Sequence, residues 1–333
     1  MKVLVTGGCG FIGSNFIRYL LTDKEAGSDV QVLNLDNMTY AGRGRNIPHM
    51  RLCSDVRYRF ERGDIADRDL VKRVFDSFQP DSVVNFAAES HVDNSLVDKS
   101  PFEKTNVEGA AVMASEALKQ EVKRFVQIST DEVYGSREEG SFSESSSLNP
   151  SNPYSQTKAR AEGRVMDCVV EGLHIIITRS ANNYGQYQHP EKFLPRSITR
   201  LIRGKNIPLM YSQENPGLNV RDWLHVGDNC RAIWHVAGHG IPGQVYNIPG
   251  NNERTNIEMA QMLLETFGFG EDRIDFITHR KGHDFRYSIS GDKLEGSGFV
   301  YKHKDLKAEI RSLVEWYKEN RSWWEPLVSE ADK

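Results

Sequence analysis

Val3-Leu4-Val5-Thr6-Gly7-Gly8-Cys9-Gly10-Phe11-Ile12-Gly13 decides how the rest of the chain is read. A short apolar run leads into glycines at 7, 10 and 13, and the amphipathic stretch Asn15–Leu21 follows at once. That order predicts a strand, a tight turn and a helix. Glycine permits the turn and lets backbone N–H groups approach a pyrophosphate, while the helix N-terminus adds partial positive charge. A glycine-rich turn that binds nothing has the same local sequence, so residues further along must decide.

Working outward, Val32-Leu33-Asn34-Leu35 reads as a second buried strand, and Asp36 ends it. An acidic side chain there accepts hydrogen bonds from adenosine ribose hydroxyls and repels a 2′-phosphate, which predicts NAD rather than NADP as cofactor. Arg43 and Arg45 lie slightly further on and weigh the other way. Gly63-Asp64-Ile65 follows the expected third strand, where Asp64 reads equally as an adenine-side contact or a helix cap. Val83-Val84-Asn85-Phe86, Phe125-Val126-Gln127-Ile128 and His174–Thr178 continue the strands, with helical patterns such as Arg68–Phe78 between them. This alternation predicts an α/β fold, a Rossmann-like doubly wound parallel sheet.

Beyond about residue 180, Pro, Gly and Asn punctuate more often. Ile198–Arg203 and Ile257–Phe267 still read as helices, Val245-Tyr246-Asn247-Ile248 as a strand, and Glu315–Arg321 as a solvated helix face. The expected division is an NAD-binding domain over 1–182, rejoined by 219–247, and a smaller C-terminal α/β substrate lobe over most of 183–333. The composition agrees with a folded chain of this kind. It has 333 residues, 38% of them hydrophobic, and a formal net charge of −4, so neither a disordered chain nor a nucleic-acid-binding stripe is expected. No apolar run reaches membrane-spanning length, and no signal-peptide pattern opens the chain. Cys9, Cys53, Cys168 and Cys230 lie far apart without a C-x-x-C, which argues against a disulfide framework and a zinc site. A soluble cytoplasmic protein, binding neither nucleic acid, membrane nor metal, is the expectation.

Two further segments carry chemistry. Tyr154-Ser155-Gln156-Thr157-Lys158 places Tyr and Lys on one helical face. A nearby ammonium favours the phenolate, so Tyr154 is expected to titrate nearer neutrality and to take a hydroxyl proton as hydride leaves carbon. An ordinary amphipathic pair is the plainer reading. Ser129-Thr130-Asp131-Glu132 follows the strand that ends at Ile128, placing it at the carboxyl end of a parallel sheet. Adjacent buried carboxyls push one another's pKa upward, so one is expected to stay protonated as an acid while the other serves as a base. The plainer reading is a helix start, where acidic residues meet the dipole favourably.

Taken together, these blocks resemble the nucleoside-diphosphate-sugar 4,6-dehydratases of the extended short-chain dehydrogenase/reductase superfamily, above all those acting on dTDP-glucose. The similarity runs nearly end to end, through Thr6–Gly13, DNMTYAG at Asp36–Gly42, AAESHVD at Ala87–Asp93, TNVEG at Thr105–Gly109, STDEVYG at Ser129–Gly135, PYSQTK at Pro153–Lys158, NNYG at Asn182–Gly185, PEK at Pro190–Lys192, RDWL at Arg221–Leu224 and GHDFRY at Gly282–Tyr287. The Thr-Asp-Glu triplet is the most specific, because related 4-epimerases and decarboxylases share the glycine loop and Y-x-x-x-K but lack it. The resemblance implies a three-stage reaction. Tyr154 takes the sugar O4 proton as C4 is oxidised, with Thr130 bonded to O4. Glu132 removes the C5 proton and Asp131 protonates the departing C6 hydroxyl. Hydride then returns to C6, leaving a 4-keto-6-deoxy sugar, while Lys158 tunes Tyr154 and holds the nicotinamide ribose.

It also implies that Gly7, Gly10, Phe11, Ile12, Gly13, Asp36, Asp64, Ile65, Ala87, Ala88 and Thr105 contact NAD alongside Tyr154 and Lys158. On the substrate side it implies Ser90, His91, Asn183, Glu191, Lys192, Arg221, Asn252, Arg280, His283 and Tyr287. Arg221 and Arg280 suit a diphosphate because guanidinium binds it bidentately, although Arg221 beside Asp222 also reads as a structural salt bridge. A homodimer through the Tyr154 helix and the helix after Thr105 is a further implication. Four places depart from the family pattern: the longer segment between Tyr211 and Arg221, His279-Arg280-Lys281-Gly282, Asn85 where His is common, and the shortened Gly296–Lys302. The first bears on the nucleobase. A UDP-sugar 4-epimerase or decarboxylase, and a non-catalytic NAD-binding sensor, stand as the alternatives.

Overall fold

Burial on both faces explains the near-continuous apolar runs of the first half. The computed structural model describes residues 1–39, 42, 44–211, 217–278 and 284–331. In it, β1 (Lys2–Thr6), β2 (Gln31–Asp36), β3 (Tyr58–Arg62), β4 (Ser82–Asn85), β5 (Arg124–Thr130) and β6 (Ile175–Ser180) lie parallel in one sheet. A later strand, β10 (Gln244–Ile248), completes it, giving the order β10-β6-β5-β4-β1-β2-β3. β3 stands at the edge and is largely exposed, which is why Tyr58-Arg59-Phe60-Glu61-Arg62 carries no apolar run.

Helices cover both faces. Phe11–Thr22 and Val226–His239 bury Phe16, Ile17, Leu20, Ile233 and Val236 on one side. Arg68–Phe78, Ala110–Lys119 and Pro153–Val170 bury Val71, Phe75, Met113, Ala117 and Val165 on the other. Their ends are set by local chemistry. Asp67 caps Arg68–Phe78 by accepting from the amides of Asp69 and Leu70, and Gln79 ends it at φ 50°.

The second half builds β7 (Asn182–Tyr184), β8 (Ile207–Tyr211), β9 (Val220–His225), β10 (Gln244–Ile248), β11 (Glu253–Thr255) and β12 (Ile274–Thr278). β7, β9 and β11 make a three-stranded sheet, and β8 pairs with β12. β10 instead lies beside β6 in the main sheet. A third core gathers around Leu263, Tyr317, Trp323 and Trp324, between Phe193–Ile202, Asn256–Phe267, Leu306–Glu319 and Arg321–Ala331. Among the described residues, no helix is long and apolar enough to cross a membrane. The carboxyl ends of β1, β2, β4 and β5 present Thr6, Asp36, Asn85 and Thr130 along one rim, where open parallel sheets bind ligands.

Candidate active site

A cleft along that rim is lined by Gly7, Gly10, Phe11, Ile12, Gly13, Asp36, Asp64, Ile65, Ala87, Ala88, Thr105, Tyr154 and Lys158. The glycine loop leaves no room for side chains. Gly7 sits at φ +66°, and a Cβ there would lie 2.7 Å from the Ala87 amide nitrogen. A Cβ on Gly13 would lie 2.4 Å from the Gly7 carbonyl oxygen. Among the described residues, no side chain caps the following helix, so its first amides and dipole face the cleft. Asp36 accepts from the amides of Cys9 (2.8 Å) and Met38 (2.6 Å). Burial pushes its carboxyl up and those amides pull it back. Asp64 accepts from Ala66 N and from Lys104 Nζ, so it turns the chain and faces the cleft at once. A backbone anion cradle, with a carboxylate at the end of the neighbouring strand, fits an adenine dinucleotide without a 2′-phosphate. Arg45 also lines the cleft, whereas Arg43 lies outside the described residues.

Several cleft residues escaped the sequence reading. Trp323 and Leu327, from the last helix, reach the same cleft. Trp323 Nε1 donates to Asn46 Oδ1 (3.0 Å), and Asn46 Nδ2 donates to the Cys9 carbonyl (3.1 Å), tying the C-terminus to the glycine loop. Adjacent tryptophans, Trp323 and Trp324, are the signal that could have marked a buried segment, but nothing local says which core it joins. Thr105 stands in a π-helical turn, Glu103–Gly109, and Asn106 beside it pins the Glu89 backbone and the Thr157 hydroxyl.

The far end of the cleft is lined by Ile128 and Ser129. Just behind it, β5 stops at Thr130 and a single turn that begins with Asp131, Asp131–Tyr134, follows; Thr130 and Asp131 line neither this cleft nor the next. The Thr130 hydroxyl accepts from the Glu132 amide and donates to Asp131 Oδ1 (3.2 Å). Asp131 is only 3% exposed, and its Oδ2 has no hydrogen-bond partner among the described residues. Burial first, and then the charge of Glu132, push the Asp131 carboxyl up to about 8. Burial also raises Glu132, but Asn152, Arg221 and Lys192 oppose that rise. Asp131 therefore carries its proton at neutral pH. Asn152 joins the two halves of the site. Its Oδ1 caps Pro153–Val170 by accepting from Ser155 N (2.9 Å), while its Nδ2 donates to Glu132 Oε2 (3.2 Å).

Tyr154 and Lys158 share a face of that helix, as their spacing predicts, but the electrostatics differ from expectation. The Tyr154 phenol is pushed up, not down, by burial and then by the charges of Glu132 and Asp131, with a Thr130 hydrogen bond offsetting only part. Lys158 does not act on it in this arrangement: its Nζ donates to the Ile128 carbonyl (2.5 Å), and burial lowers the ammonium to about 8 against the support of Glu162.

A second cleft continues from the first, sharing Ser90, Glu191 and Lys192 and adding His91, Glu132, Asn183, Arg221 and Tyr287. His91 Nε2 stands 3.5 Å from Glu191 Oε2. Asn183 donates to the Ala181 carbonyl, and its Oδ1 is buried without a partner among the described residues. Arg221 stacks 4.5 Å above the Tyr287 ring and donates to the carbonyls of Val220, Asp284 and Phe285. It makes no pair with Asp222, which accepts instead from Gly250 N and Asn252 N, because neighbours on a strand face opposite ways. Asn252 lines neither cleft. It lies in a separate hollow with Gly250 and Tyr301, and its Nδ2 donates to the Gly250 carbonyl (2.8 Å). Arg280 and His283 lie outside the described residues, as do Tyr40, Ala41 and Ser212–Pro216. At Asn85, where the family pattern has His, a buried chain runs from the Thr6 hydroxyl to Asn85 Oδ1 and from Asn85 Nδ2 to Gln127 Oε1 (2.8 Å).

The family described as GDP-mannose 4,6 dehydratase matches residues 4–294. A dTDP-glucose 4,6-dehydratase of Streptomyces niveus is 43% identical over 332 residues, covering 99% of this chain and 96% of that protein. The crystal structure of a dTDP-glucose 4,6-dehydratase from Streptomyces venezuelae, with NAD bound, superposes with a TM-score of 0.92 at 42% identity, covering 98% of this chain and all of the other. A UDP-glucose 4-epimerase of Thermus thermophilus, in complex with NAD, shares the fold at a TM-score of 0.86 and 27% identity, over 96% of this chain and all of that one. Fold, glycine cradle and buried acid pair thus agree with near-complete sequence matches, and the chain belongs to the nucleotide-sugar 4,6-dehydratase family.

Proposed function

We propose that this protein is an NAD-dependent hydro-lyase that converts dTDP-glucose to dTDP-4-keto-6-deoxyglucose and water. The observation that carries the reading is the buried Asp131–Glu132 pair beside Tyr154, with Asp131 held in its acid form. An epimerase that only oxidises and reduces C4 has no step for a second acid and base. The chain's similarity to dTDP-glucose 4,6-dehydratases over nearly its whole length supports the choice of nucleotide.

The glycine loop, Asp36, Tyr154 and Lys158 would hold NAD, which would supply a hydride acceptor for C4 and a hydride donor for C6 and whose positive charge would favour the Tyr154 phenolate. Thr130 orients O4 and Tyr154 takes its proton. The C4 ketone makes the C5 proton acidic, and Glu132 removes it. Asp131 gives its proton to the C6 hydroxyl, which leaves as water. Its buried, unpartnered oxygen is the acid a leaving hydroxyl requires. A proton returned to C5 completes the 4-keto-6-deoxy product. Proton transfers of this kind contribute about 10²–10⁴-fold each. Arg221 and Lys192 supply positive charge toward the diphosphate, with Ser90, His91, Asn183, Glu191 and Tyr287 shaping the sugar side.

On the same reading, residues 1–182 with 219–247 hold NAD, and most of 183–333 holds the sugar nucleotide. The protein works in the cytoplasm as a homodimer paired through Pro153–Val170 and the helix after Thr105. Incubation with dTDP-glucose in heavy water is the test. Alkaline absorbance of a 4-keto sugar should appear, with deuterium at C5. An inverted C4 hydroxyl without water loss would establish an epimerase instead, and bound NAD without turnover across a panel of nucleotide sugars would point to a sensor.

A further inference from the structure

Glu162 stands one helical turn beyond Lys158, so Tyr154, Lys158 and Glu162 follow at four-residue intervals along one face. It is 4% exposed and lines neither cleft. Its carboxylate is fully engaged. Arg179, on β6, donates from Nε to Oε1 (3.1 Å) and from Nη2 to Oε2 (2.5 Å). Ser129 donates its hydroxyl to Oε1. The third donor of Arg179, Nη1, reaches the Tyr134 hydroxyl (2.7 Å), which donates in turn to Asn247 Oδ1 (2.8 Å) on β10. Ser129 immediately precedes the Thr130–Glu132 triplet and Tyr134 closes its turn. One buried ion pair thus grips both ends of the acid-base turn and sits behind the lysine.

Stability does not account for this arrangement. Replacing a buried ion pair by well-packed apolar groups is often neutral or stabilising, because two charges must be stripped of water. What apolar groups cannot supply is negative charge near Lys158. That ammonium donates to the Ile128 carbonyl of β5, and Glu162, held by Arg179 of β6 and Ser129 of β5, stands one turn along its own helix. Burial works against the ammonium and Glu162 works for it.

We propose that Glu162, clamped by Arg179, is a positioning residue that keeps Lys158 charged and fixes the Ser129–Tyr134 turn at both ends. The inference rests on the dehydration reading for its kinetic arm only. Two measurements test it: the pH profile of kcat/KM for dTDP-glucose, and the pH dependence of trace acetylation at Lys158, read by mass spectrometry. In Glu162→Gln the alkaline limb of the profile and the Lys158 labelling curve should both move down by about one pH unit or more. Glu162→Asp, which keeps the charge, should hold both near the wild-type position. Glu162→Gln with Arg179→Met, which leaves no unpaired buried charge, should fall between them, and it carries the test if the single variant aggregates. Wild-type limb and labelling curve in Glu162→Gln, with only the melting temperature lowered, would overturn the inference. A wild-type protein that does not dehydrate dTDP-glucose overturns the functional reading, while the labelling curve still decides the role of Glu162.

Discussion

The two ends of the cleft are built from different materials. At the glycine loop the surface is backbone: bare amides, a helix N-terminus and glycines whose missing Cβ atoms make the space. At Glu132, Tyr154 and Lys158 it is side chain: a raised carboxyl, a raised phenol and a depressed ammonium, with the raised carboxyl of Asp131 buried behind them. A backbone surface fails by steric intrusion, all at once. A surface of buried titratable groups fails by charge, and its failures depend on pH.

The sharpest way to break the first end is Gly7→Ala. The added methyl meets the Ala87 backbone at 2.7 Å, and φ +66° disfavours any side chain. Ala87 lies two residues beyond β4, and its amide is tied to the Thr6 hydroxyl (3.2 Å). NAD retention after gel filtration and dehydratase activity should both be lost, at every pH. Retained cofactor with reduced turnover would mean the loop is less fixed than its contacts indicate.

Asp131→Asn probes the second end and should show the opposite pattern. Water loss should slow by about 10²-fold or more while C4 oxidation persists, so the near-ultraviolet absorbance of reduced cofactor should accumulate during turnover. Stability should move the other way. The folded Asp131 carboxyl is held up at about 8 against the ordinary 3.8. Its contribution to stability is therefore full below about pH 4 and is lost as pH rises through about 8, because the unfolded chain releases the proton and the folded one does not. The variant should melt higher than wild type at pH 8–9, by about 1–2 kcal/mol, with the gain vanishing near pH 4. A variant that melts lower at pH 9 would show that the carboxyl is ionised and paired in the fold.

Trp323→Phe tests whether the C-terminal helix belongs to the backbone end. The ring packing against Tyr187 and Trp316 is largely kept, while the indole N–H bond to Asn46 is lost. Asn46 then holds the Cys9 carbonyl with one partner fewer. A loss of about 1 kcal/mol is expected, or about fivefold in NAD affinity, with little change in kcat. Calorimetric titration of cofactor-stripped protein measures it, and an unchanged Kd would leave the helix a purely structural cover.

This contrast also explains what the sequence disclosed. The cofactor end was legible because its determinants are local: glycine spacing, an acid at a strand end, apolar runs for a sheet buried on both faces. The placement of Thr130, Asp131 and Glu132 at the end of β5 was legible too. Their electrostatics were not. The Tyr154–Lys158 spacing suggested a lowered phenol, but burial, and then the charges of Glu132 and Asp131, distant in sequence, raise it. Asn152, Glu162 and Trp323 act through partners 20, 17 and 277 positions away, which no periodicity reports. Arg221 read as a phosphate ligand or a partner of Asp222, and strand alternation separates those two side chains.

The smallest expected effect concerns two residues that the family resemblance treats alike, Arg221 and Asn252. Arg221 lines the cleft that holds Glu132 and Tyr287. Asn252 lies in another hollow, and its amide closes its own turn onto the Gly250 carbonyl. Its backbone N–H carries the more consequential bond, to buried Asp222 (2.7 Å), and a side-chain substitution leaves that bond in place. Asn252→Ala should therefore change stability by no more than about 0.5 kcal/mol and leave KM for dTDP-glucose within about twofold. Arg221→Gln, by contrast, withdraws a charge that faces both acids. It should raise KM and shift the acid pair further upward. If Asn252→Ala raised KM tenfold with stability unchanged, the β10–β11 loop would have to close on the sugar nucleotide during binding, making this side of the site a surface that assembles around its ligand rather than one already built.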